Sequence, residues 1–466
     1  MSLQESRSNY GKEIWQKDKD HFVHPWSNWH HYREEGAAMA VEGSEGAYVI
    51  DIDGNKYLDG IGGLWCVNIG YGREEMVEAI ADQVRKLPYF SPFTDTTNTP
   101  GAELAAKIAE LAPGDLNHVF FTTGGSTAID SAYRLVQAYF GAQGLKEKRH
   151  VIGRHEAYHG STYIAQSIGC KEMDRNEDLF DFKTDTIHHI STPDMYRCPE
   201  GLSEAQYCHQ LVQEFADKVA EIGADKVAAF FAEPIMGAGG VRVAPEGYHK
   251  RIWDVCQENH ILFVADEVVT AFGRLGHWFV SKEVFDVQPD IITCAKGLTS
   301  GYIPLGAMVF SSKIYDAVAK DDQYFTNGFT YSGHPVACAA GLKSIEIMER
   351  EDIPGHVRKV GAYFREQLGS LSDLAVVGDV RGSHFMCCIE FVANKETKEL
   401  FEGDVDIGTR VAREAENHGL IVRPVAHLNV LSPCLTLSTE QCDFVVSTLR
   451  ASIEKVQADL KEEGHL

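Results

Sequence analysis

Three ionisable residues follow short apolar runs at separate places in the chain. Glu233 follows VAAFFA, Asp266 follows ILFVA and Lys296 follows DIITCA. Such runs predict buried parallel strands, and ligands of an open α/β sheet bind just beyond the carboxyl ends of its strands. Taken singly, a charged residue after a strand is usually the solvated start of a loop. Three of them together predict one common site.

The lysine and the aspartate of this set have complementary chemistry. Lys296 ends a buried strand among Cys294, Ala295 and Gly297, so partial desolvation lowers its pKa towards the neutral amine that attacks carbonyl groups. An aspartate in the same site can keep a ring nitrogen protonated, because the two interact by about 5 kcal/mol at contact distance and an effective dielectric near 20. The pair predicts a lysine that forms a Schiff base beside a cationic, electron-withdrawing ring.

A third feature suits an anion. The run FFTTGGSTAIDSAYRLV predicts a strand, a turn at Gly124, Gly125 and Ser126, and then a helix. Free backbone N–H groups at a helix N-terminus bind phosphate, and glycines let the backbone approach it closely. An ordinary helix cap is the alternative interpretation of this turn.

These features need a sheet to position them. Short apolar runs alternate with helical stretches between about 117 and 310, which predicts a mostly parallel sheet covered by helices on both faces. The runs are HVFFT (118–122), HVIG (150–153), VAAFFAE (227–233), ILFVADE (261–267), DIITCAK (290–296) and LGAMVF (305–310).

The two ends of the chain have a different pattern. Residues 46–60 alternate around an Asp-Gly-Asn turn, which predicts a β-hairpin, and helical periodicity follows at 73–87 and 101–112. After about 345 the pattern gives short strands such as 384–391 and a closing helix from roughly 439. We therefore expect a large domain at 76–340 and a smaller α+β domain built from residues 1–75 and 341–466.

Composition excludes several classes of function. The 466 residues are 44% hydrophobic and 24% charged, and the net charge of −25 disfavours nucleic acids and anionic membranes as partners. The eleven cysteines include no CxxC pair, so we expect free thiols in a reducing cytoplasm and no metal site. The N-terminus lacks the pattern of a secretory signal, and no apolar run approaches the length of a membrane helix.

Several longer segments share one further feature, their likeness to a known set of motifs: DEVVTAFGRLG (266–276), PDIITCAKGLTSGYIPLGA (289–307), GLWCVNIGYGRE (63–74), AYHGST (157–162), AEPIMGAGGV (232–241) and GFTYSGHPVA (328–337). Together they resemble the class III, fold-type I pyridoxal-phosphate aminotransferases. The resemblance covers nearly the whole chain and is nearest to the ω-amino-acid and amine:pyruvate types, which include taurine and putrescine enzymes. It implies a mostly parallel central sheet in a large domain, with a smaller domain from both termini.

The resemblance also implies a cofactor, pyridoxal 5'-phosphate, and the residues that contact it. Lys296 would form the Schiff base and shuttle the proton, and Asp266 would pair with the pyridine nitrogen. The other implied contacts are Val268 and Tyr158 on the two ring faces, Glu233 near the cofactor hydroxyl, and Gly125 and Ser126 on the phosphate, joined by Thr330 from a neighbouring subunit. The active unit would then be a homodimer or a dimer of dimers with active sites at the interface.

The substrates implied are a small amine and a keto acid such as pyruvate, used in ping-pong order. Arg423, in HGLIVRP, matches the arginine that holds a substrate carboxylate and swings aside for amines without one. Trp65, Phe93, Tyr158 and Phe329 would line the substrate pocket, although aromatic residues are more often plain core. His159 is interpreted as a structural histidine.

Some positions depart from the family pattern. Thr127 and Ala128 replace a carboxylate and an amide after Ser126, and Ala271 and Leu275 stand where glycine and threonine are common. Alternatives to the aminotransferase stay open at this point. They are a decarboxylase or aminomutase of the same fold, a cofactor-binding regulator without activity, and an aldolase barrel, for which eight regular βα units are not apparent.

Overall fold

The N-terminal part of the chain forms a small sheet preceded by two helices. The structure, a computed structural model, describes residues 8–320 and 324–466, so the first seven residues of the predicted 1–75 segment lie outside the described residues. The elements are α1 (Asn9–His21), α2 (Trp29–Glu35), β1 (Val41–Glu45), β2 (Tyr48–Asp51), β3 (Lys56–Asp59), α3 (Gly62–Trp65), α4 (Glu74–Lys86) and α5 (Thr99–Leu111).

The predicted hairpin is present as β2 and β3, which pair antiparallel. Its turn is fixed by Asp51, whose Oδ1 accepts hydrogen bonds from the backbone N–H groups of Asp53 and Asn55 at 3.0 and 2.8 Å. An aspartate that accepts from the backbone two and four residues later stabilises a tight turn, as the Asp-Gly-Asn sequence predicts.

Seven strands form the central sheet, in the order β4-β10-β9-β8-β7-β5-β6. Strands β5 to β9 run parallel, whereas β10 is antiparallel to both of its neighbours. The strands are β4 (Leu116–Thr122), β5 (His150–Arg154), β6 (Ile187–Ile190), β7 (Val227–Ala232), β8 (Leu262–Asp266), β9 (Ile291–Cys294) and β10 (Gly306–Ser311). The predicted mostly parallel sheet is confirmed.

Both faces of this sheet are buried, which explains why its strands are continuous apolar runs. In β7, Phe230 packs into the hydrophobic cluster on one face and Phe231 into the cluster on the other. The helices of this part of the chain are α6 (Gly125–Ala142), α7 (Tyr163–Ile168), α8 (Glu204–Ile222), α9 (Tyr248–Glu258) and α10 (Ser312–Ala319).

The C-terminal part adds a third sheet, β11-β12-β15-β14, and completes the first. Strand β13 pairs parallel with β3, Leu420 opposite Leu58, so the two ends of the chain share one sheet. The elements are α11 (Pro335–Arg350), α12 (Ile353–His356), α13 (Ala362–Gly369), β11 (Val377–Ser383), β12 (Met386–Phe391), α14 (Ile407–Asn417), β13 (Leu420–Ile421), β14 (Arg423–Val425), β15 (Leu428–Leu431) and α15 (Thr439–Glu463). This pairing fits a small domain from both termini, whose boundaries stay a prediction.

Among residues 8–320 and 324–466, none of the helices combines the length and the apolar character that crossing a bilayer requires.

Candidate active site

The three strand-end residues meet at one edge of the central sheet. Strands β7, β8 and β9 are neighbours in parallel register, with Ala232 opposite Ala265 and Asp266 opposite Thr293. Their carboxyl ends therefore point the same way, and Glu233, Asp266 and Lys296 all line a cavity of about 270 Å³. The position matches the rule that ligands of α/β sheets bind beyond the strands' carboxyl ends.

Lys296 begins a short turn directly after β9 and has an unusual backbone. Its φ of 42° lies in the left-handed region, which costs a non-glycine residue about 1 kcal/mol or more. Burial lowers the pKa of its amine, while the nearby carboxylate of Asp266 opposes that shift. No hydrogen-bond or ion-pair partner for this amine exists among the described residues. The amine is thus shifted towards its neutral form and available to a ligand.

Asp266 is the last residue of β8 and is held by three donors. Its Oδ1 accepts from the backbone N–H of Val268 at 3.1 Å and from the hydroxyl of Thr293 at 3.3 Å. Its Oδ2 lies 2.7 Å from Nδ1 of His159. The carboxylate is 5% exposed, so its orientation is fixed by these contacts rather than by solvent.

His159 was expected to be structural, and the structure places it in the wall of the cavity. Its side chain is fully buried, and its Nε2 has no hydrogen-bond partner among the described residues. The ring therefore supports Asp266 through one nitrogen only. Its position beside Tyr158 in the sequence gave no sign of the contact with Asp266, because 107 residues separate the two.

Glu233 acts on the backbone around the cavity. Its Oε2 accepts from the N–H of Gly237 at 2.8 Å, and its Oε1 accepts from the N–H of Tyr158 at 3.1 Å. Burial raises the pKa of this carboxyl, and the charge of Asp266 raises it further. The residue thus joins the turn that follows β7 to the segment that carries Tyr158 and His159.

The predicted phosphate turn lies between β4 and α6. The first N–H groups of α6, which begins at Gly125, have no acceptor within the helix. The hydroxyl of Thr127 bonds to the carbonyl of Gly124 at 2.9 Å, and Oγ of Ser126 accepts from the N–H of Ser161 at 3.1 Å. Threonine at position 127 therefore closes its own turn without the carboxylate that the family commonly has there.

Two glycines keep this turn compact. A Cβ on Gly125 would lie 3.0 Å from the side chain of Val268. A Cβ on Gly160 would lie 2.3 Å from Oγ of Ser126, and the φ of Gly160 is 136°. Gly125 is the first residue of α6, and Gly160 lies against the next residue, Ser126. Because neither glycine has a side chain, the N–H groups at the start of α6 stay open to a ligand.

The rest of the cavity wall consists of aromatic and charged side chains. Trp65 and Tyr158 line the cavity, and Trp26 joins them with its ring edge-on to Tyr158 at 5.9 Å between centroids. Arg423, the first residue of β14, lines it too, and burial lowers the pKa of its guanidinium. Sequence reasoning did not find Trp26, Lys171 or Asp174, which complete this wall.

Three predicted residues do not line this cavity. Phe93 is 49% exposed, and Thr330 is exposed as well. They lie near each other, because a Cβ on Gly328 would contact the Phe93 ring at 3.2 Å and the hydroxyl of Tyr89 donates to the carbonyl of Thr330. Phe329 belongs to the same segment. In the described chain these residues form a separate surface.

Pyridoxal 5'-phosphate, which the sequence resemblance implies, fits the cavity. The Lys296 amine has no hydrogen-bond or ion-pair partner among the described residues, and the start of α6 offers backbone donors for a phosphate. Asp266, at the carboxyl end of β8, presents a carboxylate to the same space. These are the groups that an aldehyde, a phosphate and a ring nitrogen require.

Proteins of related sequence match almost the whole length of the chain. The family model for class III aminotransferases matches residues 31–453. The putrescine–pyruvate aminotransferase of Pseudomonas aeruginosa is 39% identical over 446 residues, 95% of this chain and 96% of that protein. The mitochondrial gamma-aminobutyrate transaminase 1 of Oryza sativa subsp. japonica is 35% identical over 434 residues, 91% of this chain and 83% of that protein.

Solved structures agree with these matches. An (S)-enantioselective omega-transaminase from Thermomicrobium roseum superposes with a TM-score of 0.93 at 37% identity, covering 96% of this chain and 98% of that one. The omega transaminase of Pseudomonas jessenii in complex with PMP gives 0.93 at 31% identity, covering 96% and 98%. The predicted family and fold-type I architecture are confirmed, and the chain belongs to the class III aminotransferases, which are enzymes that depend on pyridoxal phosphate.

Proposed function

We propose that this enzyme moves an amino group from an amine or ω-amino acid to pyruvate or a similar keto acid, in ping-pong order. The observation that carries the proposal is that Lys296, Asp266 and Arg423 line one cavity. A nucleophilic amine, a carboxylate for a ring nitrogen and a guanidinium for a substrate carboxylate are the groups this reaction needs. The name of the Pseudomonas aeruginosa relative supports putrescine as donor and pyruvate as acceptor.

The cofactor, when bound, supplies a carbonyl that accepts the nitrogen and a ring that withdraws electrons. Lys296 would hold it covalently and Asp266 would bind the ring nitrogen. Gly125 and Ser126 would bind the phosphate through the start of α6. Val268 and Tyr158 would lie against the two faces of the ring, and Glu233 would keep Tyr158 in place through its hydrogen bond to the Tyr158 N–H.

Lys296 would also carry the proton. An amine whose pKa is lowered by burial has a lone pair at Nζ that can take a proton from the substrate carbon and return it elsewhere. Its left-handed backbone at the start of the turn aims the side chain from the end of β9 into the cavity. Neighbouring carboxylates limit the shift and keep the protonated form accessible.

Arg423 would hold the keto acid. A guanidinium binds a carboxylate through two parallel hydrogen bonds, and burial strengthens them because water competes less. The side chain is half-buried, and burial lowers the pKa of its guanidinium. Trp65, which is 3% exposed and lines the same cavity, would exclude water and limit the width of the substrate.

The surface with Phe93, Phe329 and Thr330 would belong to the active site of a second copy. Phe93 and Tyr331 on this surface are 49% and 58% exposed, and exposed aromatic side chains favour a protein interface. The active unit would be a homodimer or a dimer of dimers in which Thr330 reaches the partner's phosphate site. We also propose the cytoplasm as its location, because eleven unpaired cysteines suit a reducing compartment.

The test is alanine formation. Purified enzyme, pyridoxal phosphate and pyruvate are mixed with putrescine, ω-amino acids, taurine or simple amines, and alanine is measured. We expect alanine with at least one donor and none from the Lys296→Arg variant, which keeps a positive charge but cannot hold the cofactor covalently. Absence of alanine with every donor would refute the proposal.

A further inference from the structure

A carboxylate that the sequence did not reveal lies in the outer wall of the cavity. Asp174 ends a short 3-10 turn, Glu172–Asp174, that follows α7. It lines the main cavity and also an adjoining smaller one, whose lining includes Trp26 and Tyr158 but not Lys296. Asp174 therefore shares the main cavity with Lys296 and also borders a smaller space that Lys296 does not reach.

The negative charge of the Asp174 carboxylate is only weakly neutralised by its neighbours. The side chain is 12% exposed, and Lys171, at 3.5 Å, is the one ion-pair partner that the described residues give it. That distance is longer than the 2.7 to 3.2 Å of a good hydrogen bond. Burial raises the pKa of this carboxyl, while Lys171 and, more weakly, Arg423 act in the opposite direction. A further cation at this place would stabilise the buried charge.

Two hydrogen bonds hold the turn that carries Asp174. The N–H of Asp174 donates to the carbonyl of Lys171 at 2.9 Å, and the side-chain amide of Gln166, on α7, donates to the Asp174 carbonyl at 3.3 Å. Trp26 and Tyr158, whose rings meet edge to face, line the same smaller cavity as Asp174. A carboxylate flanked by aromatic rings is a favourable environment for an ammonium group, which gains ion pairing and cation–π attraction.

We propose that Asp174, with Trp26, binds the second ammonium of a primary diamine while the first nitrogen reacts at Lys296. This inference rests on the proposed function and names a substrate class within it. Lys171 would release Asp174 when the diamine enters, and Arg423 would serve the keto acid in the other half of the cycle. The same cavity would thus bind the diamine, a dication, through Asp174, and later the keto acid, an anion, through Arg423.

The test compares two donors of equal length, putrescine and butylamine, which differ only in the second ammonium. In Asp174→Asn we expect the KM for putrescine to rise about tenfold more than the KM for butylamine, because an ionic hydrogen bond is lost. In Lys171→Met the KM for putrescine should fall, because a competing cation is removed. In both variants kcat with putrescine should change less than KM.

Glu172→Gln is the matched control, since it neutralises an exposed acid of the same turn outside both cavities. It should leave the ratio of the two KM values unaltered. Equal effects of Asp174→Asn on both donors, or no effect on putrescine, would overturn the inference and leave Asp174 a structural residue. A wild-type enzyme that transaminates butylamine but not putrescine would also overturn it, whereas failure with every amine would sink the proposed function instead.

Discussion

At the residue scale, the site depends on how burial changes the pKa of a few ionisable side chains. Lys296 loses solvation and its pKa falls, whereas Glu233 loses solvation and its pKa rises. Desolvation thus favours the neutral form of both groups, although they bear opposite charges. Asp266 differs because three donors fix its carboxylate. Environment rather than residue type therefore assigns each group its task.

Replacing Arg423 by alanine tests the task given to its guanidinium. We expect the KM for pyruvate to rise roughly ten- to a hundredfold, because a bidentate ionic contact is lost. The KM for an amine without a carboxylate should change little. Arg413→Ala is the matched control, because Arg413 is exposed on α14 and does not line the cavity. Equal rises for pyruvate and the amine in steady-state kinetics would contradict the role.

The sequence predicted some of these residues and missed others for physical reasons. Asp266 and Lys296 end apolar runs, and parallel strands bring such ends together, so their meeting could be inferred. Trp26 follows helix α1, and Lys171 and Asp174 follow the short helix α7, so none of the three ends a strand of the central sheet. Nothing local marks their approach to the cavity, because tertiary packing alone brings them there.

At the element scale, the start of α6 depends on a neighbouring turn. Gly160 lies against Ser126, and its positive φ suits glycine alone. The turn carries Ser161, whose N–H bonds to the Ser126 hydroxyl. The end of α6 that we propose to bind the phosphate is thus shaped partly by residues that follow β5.

We expect Gly160→Ala to weaken cofactor binding roughly tenfold or more, because its Cβ would force the turn away from Ser126. The measurement is the fraction of pyridoxal phosphate retained after dialysis, followed by absorbance. Gly141→Ala, near the C-terminal end of α6, brings its Cβ within 4 Å of no atom outside the helix backbone and should retain the cofactor fully. It should also unfold at a slightly higher temperature, because alanine favours helix. Equal retention in both variants would exclude this role of Gly160.

Most elements were predictable, but their directions were not. The runs at 118–122, 227–233, 261–267 and 290–296 all form strands of the central sheet. The run at 305–310 does so too, as β10, yet it is antiparallel to its neighbours. A fully buried strand is apolar on both faces whichever way it runs, so its pattern carries no signal of direction.

At the scale of the whole molecule, the proposed dimer can be tested through the position of Thr330. If Thr330 serves the partner's site, a heterodimer of Lys296→Arg and Thr330→Glu protomers has one intact site. We expect such dimers, isolated through two affinity tags, to regain about half of the wild-type activity per dimer. Each variant alone should be nearly inactive, because glutamate repels the cofactor phosphate.

The control reverses the arrangement of the same two substitutions. A heterodimer of the Lys296→Arg/Thr330→Glu double variant with wild type has no intact site if Thr330 acts across the interface. Activity in this dimer and none in the first would show that Thr330 serves its own protomer. The predicted domain boundaries at 75 and 340 also stay a prediction at this scale, and limited proteolysis would test them.

The pairing of β13 with β3 has a consequence for how the enzyme is made. Leu58 cannot meet Leu420 until the whole segment from β3 to β13 has been translated, so the strand just before Trp65 gains this parallel neighbour late. Arg423 emerges from the ribosome only after that point. A nascent chain can therefore form its central sheet, β4 to β10, before the small sheet has closed through β13 and before the cavity has gained the guanidinium of Arg423.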